Sequence, residues 1–537
     1  MNNAQLKLFA QEARLKLVNL VGAKLQLVLN TDSAELRGRG KDVSKLRERV
    51  SKEGTDNVVE EMAYTWFNRV MALRFMDANG YNRPMVVTPQ ERTSRPEILA
   101  DAMSGSVDVG LNIPQADIDD LLQGRTGDNH SQETLYRKLF IAKCNELGNV
   151  MPFLFEKIQD YSELLLPDDL LSELSFVTDI RNGMSDEDCL HEQIVGWLYQ
   201  FYITDLKKEA EDNKNRKGGL RSSEQAAATQ LFTPDWIVRY MVENTLGRIW
   251  LTLHPDSAIR QQMKYYIDPA DNQPDQIPEH IRSVSDIRFL DPCMGSGHVL
   301  VYAFQLLTQM YEEEGYQRRD IPHLIFQNNL YGMDIDRRCY QLASFALTMS
   351  ACAYVGRRYL RHAEAPQVIA LQPIARDVIA SAGEWPKDSL VWQFEHADTI
   401  GSLLKISPKE CMAIKVEKGD VFSLPQMFMK TEADYLSKKY DCVVTNPPYL
   451  GKGFSDNLKN FLLSEYPDSK ADTMAAFMER NLTFGYPKSK ISMINMQSWI
   501  YVSSYLNSAT LLIVSGHCGQ NRPECDFSCS NWLFAMS

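Results

Sequence analysis

The chain has 537 residues, of which 44% are hydrophobic, and its formal net charge is −13 at pH 7. That length predicts two to four domains, and the apolar content excludes a disordered chain. The acidic balance excludes a surface that is basic throughout, although a local basic cleft stays compatible with it. The cysteines follow no disulfide spacing and no stretch is apolar over the roughly 20 residues of a membrane span, so we expect a reduced, cytoplasmic protein without a membrane partner.

Residues 1–205 are predicted to form an all-helical domain. Apolar residues recur at helical spacing over residues 3–30, and a second amphipathic stretch, rich in aromatic residues, runs from Val58 to Met76. It stops at Asn79-Gly80, which is a typical helix C-cap. Residues 135–202 add helical patterns with almost no strand signal, so we expect no sheet in this region.

A polar linker is predicted at residues 206–228. Its lysines, arginines and glycines suit either a solvated connection or a contact with a nucleic-acid backbone, and the sequence leaves both open. Phe232-Thr233-Pro234 follows it and precedes an amphipathic helix from Asp235 to Leu253. Thr233 can cap that helix and Pro234 suits its first turn. Because a helix N-terminus can bind a carboxylate, this tripeptide is a candidate cofactor contact.

A short apolar strand then enters a turn that contains two glycines. Residues 289–297 read Phe-Leu-Asp-Pro-Cys-Met-Gly-Ser-Gly, and a helix is predicted directly after them. This is not the complete glycine pattern of dinucleotide-binding folds. The acid before the turn would repel a pyrophosphate but can pair with an ammonium group, which suits the amino-acid end of S-adenosylmethionine. The candidate cofactor contacts are Asp291, Pro292, Gly295 and Gly297.

A second predicted strand, residues 329–336, carries Asp334 and Ile335 near its end. An acid at that position can accept hydrogen bonds from ribose hydroxyls. Residues 360–415 carry weaker patterns and are predicted to be an insertion in the sheet domain. Beyond them, Asp420 is the preferred candidate for hydrogen bonding the adenine amine of a cofactor, and Asp398 is its rival.

The chemistry of the chain is expected to centre on residues 441–449, Asp-Cys-Val-Val-Thr-Asn-Pro-Pro-Tyr. The β-branched run predicts a buried strand, which the two prolines must end because proline has no N–H group to donate. The turn then presents the Asn446 amide oxygen, the Pro447 carbonyl and the Tyr449 ring at the carboxyl end of a strand. Such a set suits a flat base that carries an amino group. The candidate catalytic residues are Asn446, Pro447, Pro448 and Tyr449.

Together these motifs resemble the amino-group DNA methyltransferases. The order, with cofactor motifs before the catalytic motif, is similar to that of the gamma group of N(6)-adenine enzymes. The helical N-terminal region and the Met-Gln-Ser-Trp segment at 496–499 resemble the PglX-type enzymes of bacteriophage-exclusion systems. The resemblance covers about residues 1–508. It implies an α/β fold with a Rossmann-like S-adenosylmethionine-dependent domain at 229–510, preceded by the helical domain.

The resemblance also implies a reaction and partners. The expected reaction transfers a methyl group from S-adenosylmethionine to the exocyclic amine of an adenine flipped out of double-stranded DNA. Asn446 and Pro447 would accept hydrogen bonds from that amine, and Tyr449 would stack on the base. The expected partners are DNA and other proteins of a phage-defence system.

Two alternatives remain open at this point. Asn-Pro-Pro-Tyr also occurs in methyltransferases that act on a protein glutamine or on ribosomal RNA. The other alternative is an inactive, truncated scaffold that still binds cofactor or partners. It is favoured by the altered composition of residues 511–537, which fits a frameshifted reading frame. The cysteines of this tail could also form a small zinc site, but their spacing fits such a site less well.

Overall fold

The structure is a computed structural model of the chain. It describes residues 3–90, 94–125, 130–156, 161–191, 194–204, 207–208, 212, 233–269, 275–416, 424–451, 453–496 and 532–536. The chain divides into two compact units. One comprises Met1–Thr204 with Ala351–Ala363, and the other comprises Asp205–Ser350 with Glu364–Ser537.

The first unit is built from helices in its described residues, with one isolated β-bridge between Pro89 and Pro96. Its helices are α1 (Asn3–Asn30), α2 (Ala34–Gly38), α3 (Gly40–Glu53), α4 (Thr55–Ala78), α5 (Glu97–Met103), α6 (Gln115–Leu122), α7 (Ser131–Leu147), α8 (Tyr161–Leu164), α9 (Phe176–Gly183), α10 (Asp186–Cys189) and α11 (Ile194–Tyr202).

Helix α1 organises the packing of this unit. Its apolar residues recur every three or four positions and are buried, as Leu17, Val21 and Leu25 show, because that spacing places them on one helix face. This face packs against α4, α9 and α11. Helix α4 ends at Ala78 and is followed by Asn79 and Gly80, where the sequence predicted its end.

The second unit is a mixed α/β structure around one parallel sheet. Its strand order is β3-β2-β1-β4-β5-β6, and every strand pair is parallel. The strands are β1 (Phe289–Asp291), β2 (Leu330–Asp334), β3 (Val368–Ala370), β4 (Tyr440–Thr445), β5 (Gly485–Asn495) and β6 (Trp532–Met536). Its helices are α12 (Asp235–Val242), α13 (Arg248–Leu253), α14 (His298–Glu313), α15 (Ile321–Asn328), α16 (Arg337–Val355), α17 (Arg376–Ser381), α18 (Ala397–Ile400), α19 (Pro408–Ala413), α20 (Leu424–Ser437), α21 (Asp456–Glu465) and α22 (Thr473–Phe484).

Strand β4 lies in the middle of this sheet, and all six of its residues are buried. A strand with both faces covered needs a continuous apolar or β-branched run, which Cys442, Val443 and Val444 supply. It pairs with β1 on one side and with β5 on the other. The predicted strand, and its end before the two prolines, are therefore confirmed.

The helix predicted over Asp235–Leu253 is present but not uniform. A π-helical turn, Glu243–Gly247, lies between α12 and α13. Glu243 is fully buried there, and its carboxylate accepts hydrogen bonds from the Tyr302 hydroxyl at 2.7 Å and the Tyr265 amide at 2.5 Å. These bonds supply the hydrogen-bond partners that a buried carboxylate requires. The bond with Tyr265 also connects the segment after α13 to the π-helical turn.

Two expectations from the sequence need correction. Residues 360–415 were predicted to be an insertion, but residues 368–370 are β3 and pair with β2 in the sheet. The strand predicted to run from Lys490 to Val502 is β5, which spans Gly485–Asn495. In the atypical tail predicted at 511–537, residues 532–536 are β6 and pair with β5, and the other tail residues lie outside the described ranges. Among the helices in the described ranges, none combines the length and apolar character that crossing a membrane requires.

Candidate active site

The predicted site residues converge on the carboxyl edge of the sheet. From β1 the chain proceeds outward to β2 and β3, and it then returns to the other side of β1 to form β4, β5 and β6. Parallel sheets open a crevice where the strand order reverses in this way, and ligands bind there. Asp291 ends β1 and Asn446 follows β4, so both lie at this reversal.

The glycine turn connects β1 to α14 at this edge. Gly295 and Gly297 have φ angles of +52° and +82°, a region that residues with a Cβ seldom adopt. A Cβ on Gly297 would also lie 2.8 Å from the Cβ of Ala343, so α16, which contains Ala343, packs too closely against the turn for a side chain there. The position that a Cβ on Gly295 would take is open among the described residues.

Asp291 is buried, with only 1% of its surface exposed. Its carboxylate accepts hydrogen bonds from the Thr445 hydroxyl at 2.8 Å and the Cys293 amide at 3.1 Å. Burial raises the pKa of Asp291 to about 7, although these two bonds oppose the shift. The carboxylate therefore links β1 to β4 and supports the turn, and its predicted contact with an ammonium group stays a prediction.

Asp334 lies at the end of β2, where the sequence predicted a ribose-binding acid. Its carboxylate accepts hydrogen bonds from the Gly295 amide at 2.9 Å and the Asp336 amide at 2.8 Å. Burial raises the pKa of Asp334 to about 7, and these backbone bonds oppose that effect. Asp334 thus lies against the glycine turn, and Ile335, also a predicted contact, follows it directly.

The Asn446 side chain is held at both ends. Its Nδ2 group donates to the Thr233 hydroxyl at 3.1 Å, and its Oδ1 atom accepts from the Tyr449 hydroxyl at 3.0 Å. The same hydroxyl can donate instead to the Ile494 carbonyl, at 3.1 Å. The structure thus brings Asn446 and Tyr449 together, while the carbonyl of Pro448 accepts a hydrogen bond from Thr473 at 2.6 Å.

Thr233 differs from its predicted role at the start of α12. The N-cap residue is Pro234, without a side-chain capping bond, so the prediction that Thr233 caps this helix is wrong. The Thr233 side chain instead contacts Asn446, and its carbonyl oxygen lies 3.1 Å from Nδ1 of His298, at the start of α14. Pro234 is nevertheless at the beginning of the helix, as predicted.

Sequence reasoning missed a segment that borders two of the predicted cofactor residues. The Ser402 hydroxyl is buried and donates to the carbonyl of Pro292 at 2.7 Å. A Cβ on Gly401 would lie 2.9 Å from Ile335, so the segment also contacts the turn after β2. The signal in the sequence is Asp398, which precedes Gly401 and Ser402 by three and four positions. Because Asp420 lies outside the described residues, the choice between Asp398 and Asp420 for the cofactor adenine stays a prediction.

Some predicted residues lie outside the described part of the chain. These are Phe232, Asp420, most of the linker at 206–228 and residues 497–499 of the Met-Gln-Ser-Trp segment. Their roles stay predictions. Within the described ranges, no group of His, Cys, Asp or Glu side chains has the arrangement of a metal site.

The residues at this edge fit S-adenosylmethionine. Asp291 and Asp334 are acids of the kind that a cationic ligand with ribose hydroxyls would require. Gly295 leaves the space in front of the turn open among the described residues, and α14 begins directly behind the turn. The two acids thus place hydrogen-bond acceptors and negative charge at the edge where the sheet opens a crevice.

Comparison with known proteins agrees with these motifs. Residues 328–515 match the family model of the Eco57I restriction-modification methylase. The chain is similar to the adenine-specific methyltransferase BrxX of Escherichia coli O9:H4 (strain HS), with 35% identity over 86% of this chain and 42% of that protein. It is also similar to the adenine-specific methyltransferase PglX of Lacticaseibacillus casei (strain Zhang), with 31% identity over 94% of this chain and 47% of that protein.

The resemblance to adenine methyltransferases of the PglX type is therefore confirmed. The chain spans less than half the length of these two relatives. A solved structure described as a DrdV-DNA complex is similar with a TM-score of 0.37 and 12% identity, over 83% of this chain and 38% of that chain. That likeness is too distant to support an argument about this chain.

Proposed function

We propose that this homologue of the adenine-specific methyltransferases BrxX and PglX transfers a methyl group to the exocyclic amine of adenine in DNA. The observation that carries the proposal is the position of Asn446. Its amide follows the central strand β4 at the reversal of strand order, and β4 pairs with β1, the strand that leads into the glycine turn. An amide acceptor next to a cofactor crevice is what an amine nucleophile requires.

The proposed mechanism uses hydrogen bonding to prepare a weak nucleophile. The lone pair of an adenine amine is delocalised into the ring, and the Asn446 Oδ1 atom and the Pro447 carbonyl would accept its two hydrogens. These bonds favour a tetrahedral nitrogen and stabilise the positive charge that develops on it. The cofactor, when bound, supplies a methyl group attached to a positively charged sulfur.

Tyr449 would have two roles in this mechanism. Its ring would stack on the flipped base. Its hydroxyl contacts Asn446 Oδ1 and has a second acceptor in the Ile494 carbonyl. Because the hydroxyl can donate to Ile494 instead, it can release Asn446 Oδ1 when the substrate amine arrives.

S-adenosylmethionine is the cofactor we propose for this site. Asp334 would accept hydrogen bonds from its ribose, and Gly295 would let its amino-acid part approach the turn. Asp420 or Asp398 would accept a hydrogen bond from its adenine amine, and the contacts of the segment after Asp398 with Pro292 and Ile335 support a role for Asp398. The second unit would thus be a Rossmann-like methyltransferase domain.

The wider assignments rest on the relatives. We propose that the first unit is a separate helical domain and that double-stranded DNA is the substrate. Other proteins of a phage-defence system would be partners. The motif order and the relatives' names support these assignments.

Incubation with labelled S-adenosylmethionine tests the proposal directly. Duplex DNA, ribosomal RNA and a glutamine-containing release factor are offered to the purified chain in parallel. We expect label in DNA only, recovered as N(6)-methyladenine. Label in RNA or protein but not in DNA would overturn the proposed substrate, and no transfer to any of them would favour a scaffold.

Cofactor affinity should depend on pH through Asp334. Its carboxyl group, with a pKa of about 7, is mostly protonated at pH 6 and ionised at pH 8, and a cationic ligand favours the ionised form. For one such group, affinity for S-adenosylmethionine should rise about tenfold between pH 6 and pH 8, as calorimetry would measure. Asp334→Asn should weaken binding at pH 8 and flatten the rise. An unchanged pH profile in that variant would remove Asp334 from the site.

The ionisation of Asp334 should also affect the free energy of unfolding, which should fall as pH rises, whereas cofactor affinity should increase. The native state holds a proton on Asp334 up to a pKa of about 7, whereas the unfolded chain releases it near pH 4. The native state therefore binds more protons than the unfolded state between these values, so this group makes the cofactor-free protein less stable as pH rises from about 4 to about 7. Hydrogen exchange of β2 at several pH values would measure the trend.

The ring of Tyr449 should matter more than its hydroxyl for base binding. Tyr449→Ala should weaken binding to DNA with an unpaired target adenine by about 1–3 kcal/mol, because a stacking surface is lost. Tyr449→Phe keeps that surface and should bind nearly as well. Fluorescence titration with the two variants compares them, and equal losses would show that stacking is not the role of this residue.

A further inference from the structure

Thr233 makes a contact that the proposed cofactor role does not explain. Its side chain is 7% exposed, and its hydroxyl accepts a hydrogen bond from Nδ2 of Asn446 at 3.1 Å. The two residues are 213 positions apart in the chain. The hydroxyl makes this contact instead of capping α12, whose N-cap is Pro234.

The orientation of the Asn446 amide decides whether it can act on an amine. An amide presents an acceptor on one side and two donors on the other, and rotation by half a turn about its last side-chain bond exchanges them. A substrate amine has two hydrogens to donate, so it must face the Asn446 Oδ1 atom, which accepts them, and not the Nδ2 group. A contact that engages Nδ2 leaves Oδ1 on the side of Tyr449, where the base is expected.

Thr233 is itself held from its backbone side. The Thr233 carbonyl only accepts, so the Nδ1 atom of His298, 3.1 Å away, must donate to it. The other ring nitrogen of His298 lies 3.8 Å from the carboxylate of Asp235. Arg239 donates a hydrogen bond to that carboxylate at 2.7 Å, and the interactions with His298 and Arg239 lower the pKa of Asp235 to about 2. The start of α12 is thereby fixed to the start of α14.

We infer that Thr233 is a positioning residue for the catalytic amide. Its hydroxyl holds Nδ2 of Asn446 so that Oδ1 faces the substrate amine, and His298 holds Thr233 in place. The inference rests on the proposed function for the identity of the substrate. The contact itself rests on the geometry of the two side chains.

Thr233→Val tests the inference because valine keeps the shape and removes the hydroxyl. We expect kcat for DNA methylation to fall about tenfold, the size of one lost hydrogen bond. KM for DNA and the Kd for S-adenosylmethionine should not change. Thr233→Ser keeps a hydroxyl and should retain most of the rate. The matched control is Thr245→Val, since the buried Thr245 hydroxyl donates only within its own helical segment, to Met241 and Val242.

A second readout does not depend on activity. In protein labelled with ¹⁵N at asparagine, the side-chain amide signals of Asn446 are assigned by their loss in Asn446→Asp. They should shift in Thr233→Val and stay in place in Thr245→Val. If the wild-type chain transfers no methyl group, the proposed function fails and this signal alone decides the contact.

Three results would overturn the inference. An increase in the Kd for S-adenosylmethionine that parallels the loss of kcat in Thr233→Val would make Thr233 a cofactor contact. An unchanged kcat would show that the amide keeps its orientation without the hydroxyl. Unshifted Asn446 signals in Thr233→Val would show that the contact is absent in solution.

Discussion

Asn446→Ala is expected to lower methyl transfer by about a hundredfold or more, as the removal of one preorganised dipole does in other enzymes. The amide oxygen acts on the amine as positive charge develops, so its loss affects the transition state more than the bound cofactor. Rates are measured with labelled S-adenosylmethionine and duplex DNA. Cofactor affinity, measured by calorimetry, should remain close to that of the wild type.

Asn457→Ala provides the matched control for this variant. Asn457 is exposed and contacts the ring of His396 at 3.3 Å, and it has no role in the proposed reaction. We expect it to methylate at the wild-type rate. A parallel loss of rate and cofactor affinity in Asn446→Ala would place Asn446 among the cofactor contacts instead.

Arg480→Met is expected to cause the largest loss of stability. Arg480 is 4% exposed, and its guanidinium group donates to the carbonyl oxygens of Ser402, Leu404 and Leu436, each at 2.9 Å. Methionine has a similar length but no donor, so three buried carbonyls would lose their partner. At about 1–3 kcal/mol for each unsatisfied group, the free energy of unfolding of the second unit should fall by about 3 kcal/mol or more.

Hydrogen exchange measured on peptides from β4 and α22 reports on this unit alone. Arg376→Met is the control, because Arg376 forms an exposed ion pair with Glu395 at 2.9 Å, and such pairs contribute about 1 kcal/mol or less. Similar exchange in both variants would mean that the Arg480 hydrogen bonds do not stabilise the unit. Arg480→Met should also weaken cofactor binding, since Arg480 holds the segment whose Ser402 contacts Pro292.

Local patterns predicted the elements that carry the chemistry. The β-branched run of β4, the two prolines after it and the glycines of the turn each impose a backbone conformation through their own side chains. The ends of α4 and β4 were therefore predicted to within a few residues. The motifs also indicated the resemblance to adenine-specific methyltransferases that the comparisons found, because chemistry at a strand end requires particular residue types.

Residues 360–415 show where pattern reasoning failed. Strand β3 has three residues, Val368–Ala370, which is too short to produce a period of two against its surroundings. It forms because β2 offers an unpaired edge, and its register with Gly332–Asp334 is set by that neighbour. The contacts of Ser402 with Pro292, and of Arg480 with Ser402, likewise depend on segments far apart in the chain.

The sequence by itself determined which residues form the turn, the central strand and the Asn-Pro-Pro-Tyr segment, because these follow from the conformations that each residue type allows. Only the tertiary structure decided that Thr233 contacts Asn446, that Asp291 accepts a hydrogen bond from Thr445 and that Arg480 donates to the carbonyl of Ser402. The physical reason is the strand order. It places β4 beside β1, and residues that share no local pattern meet only when the sheet has formed.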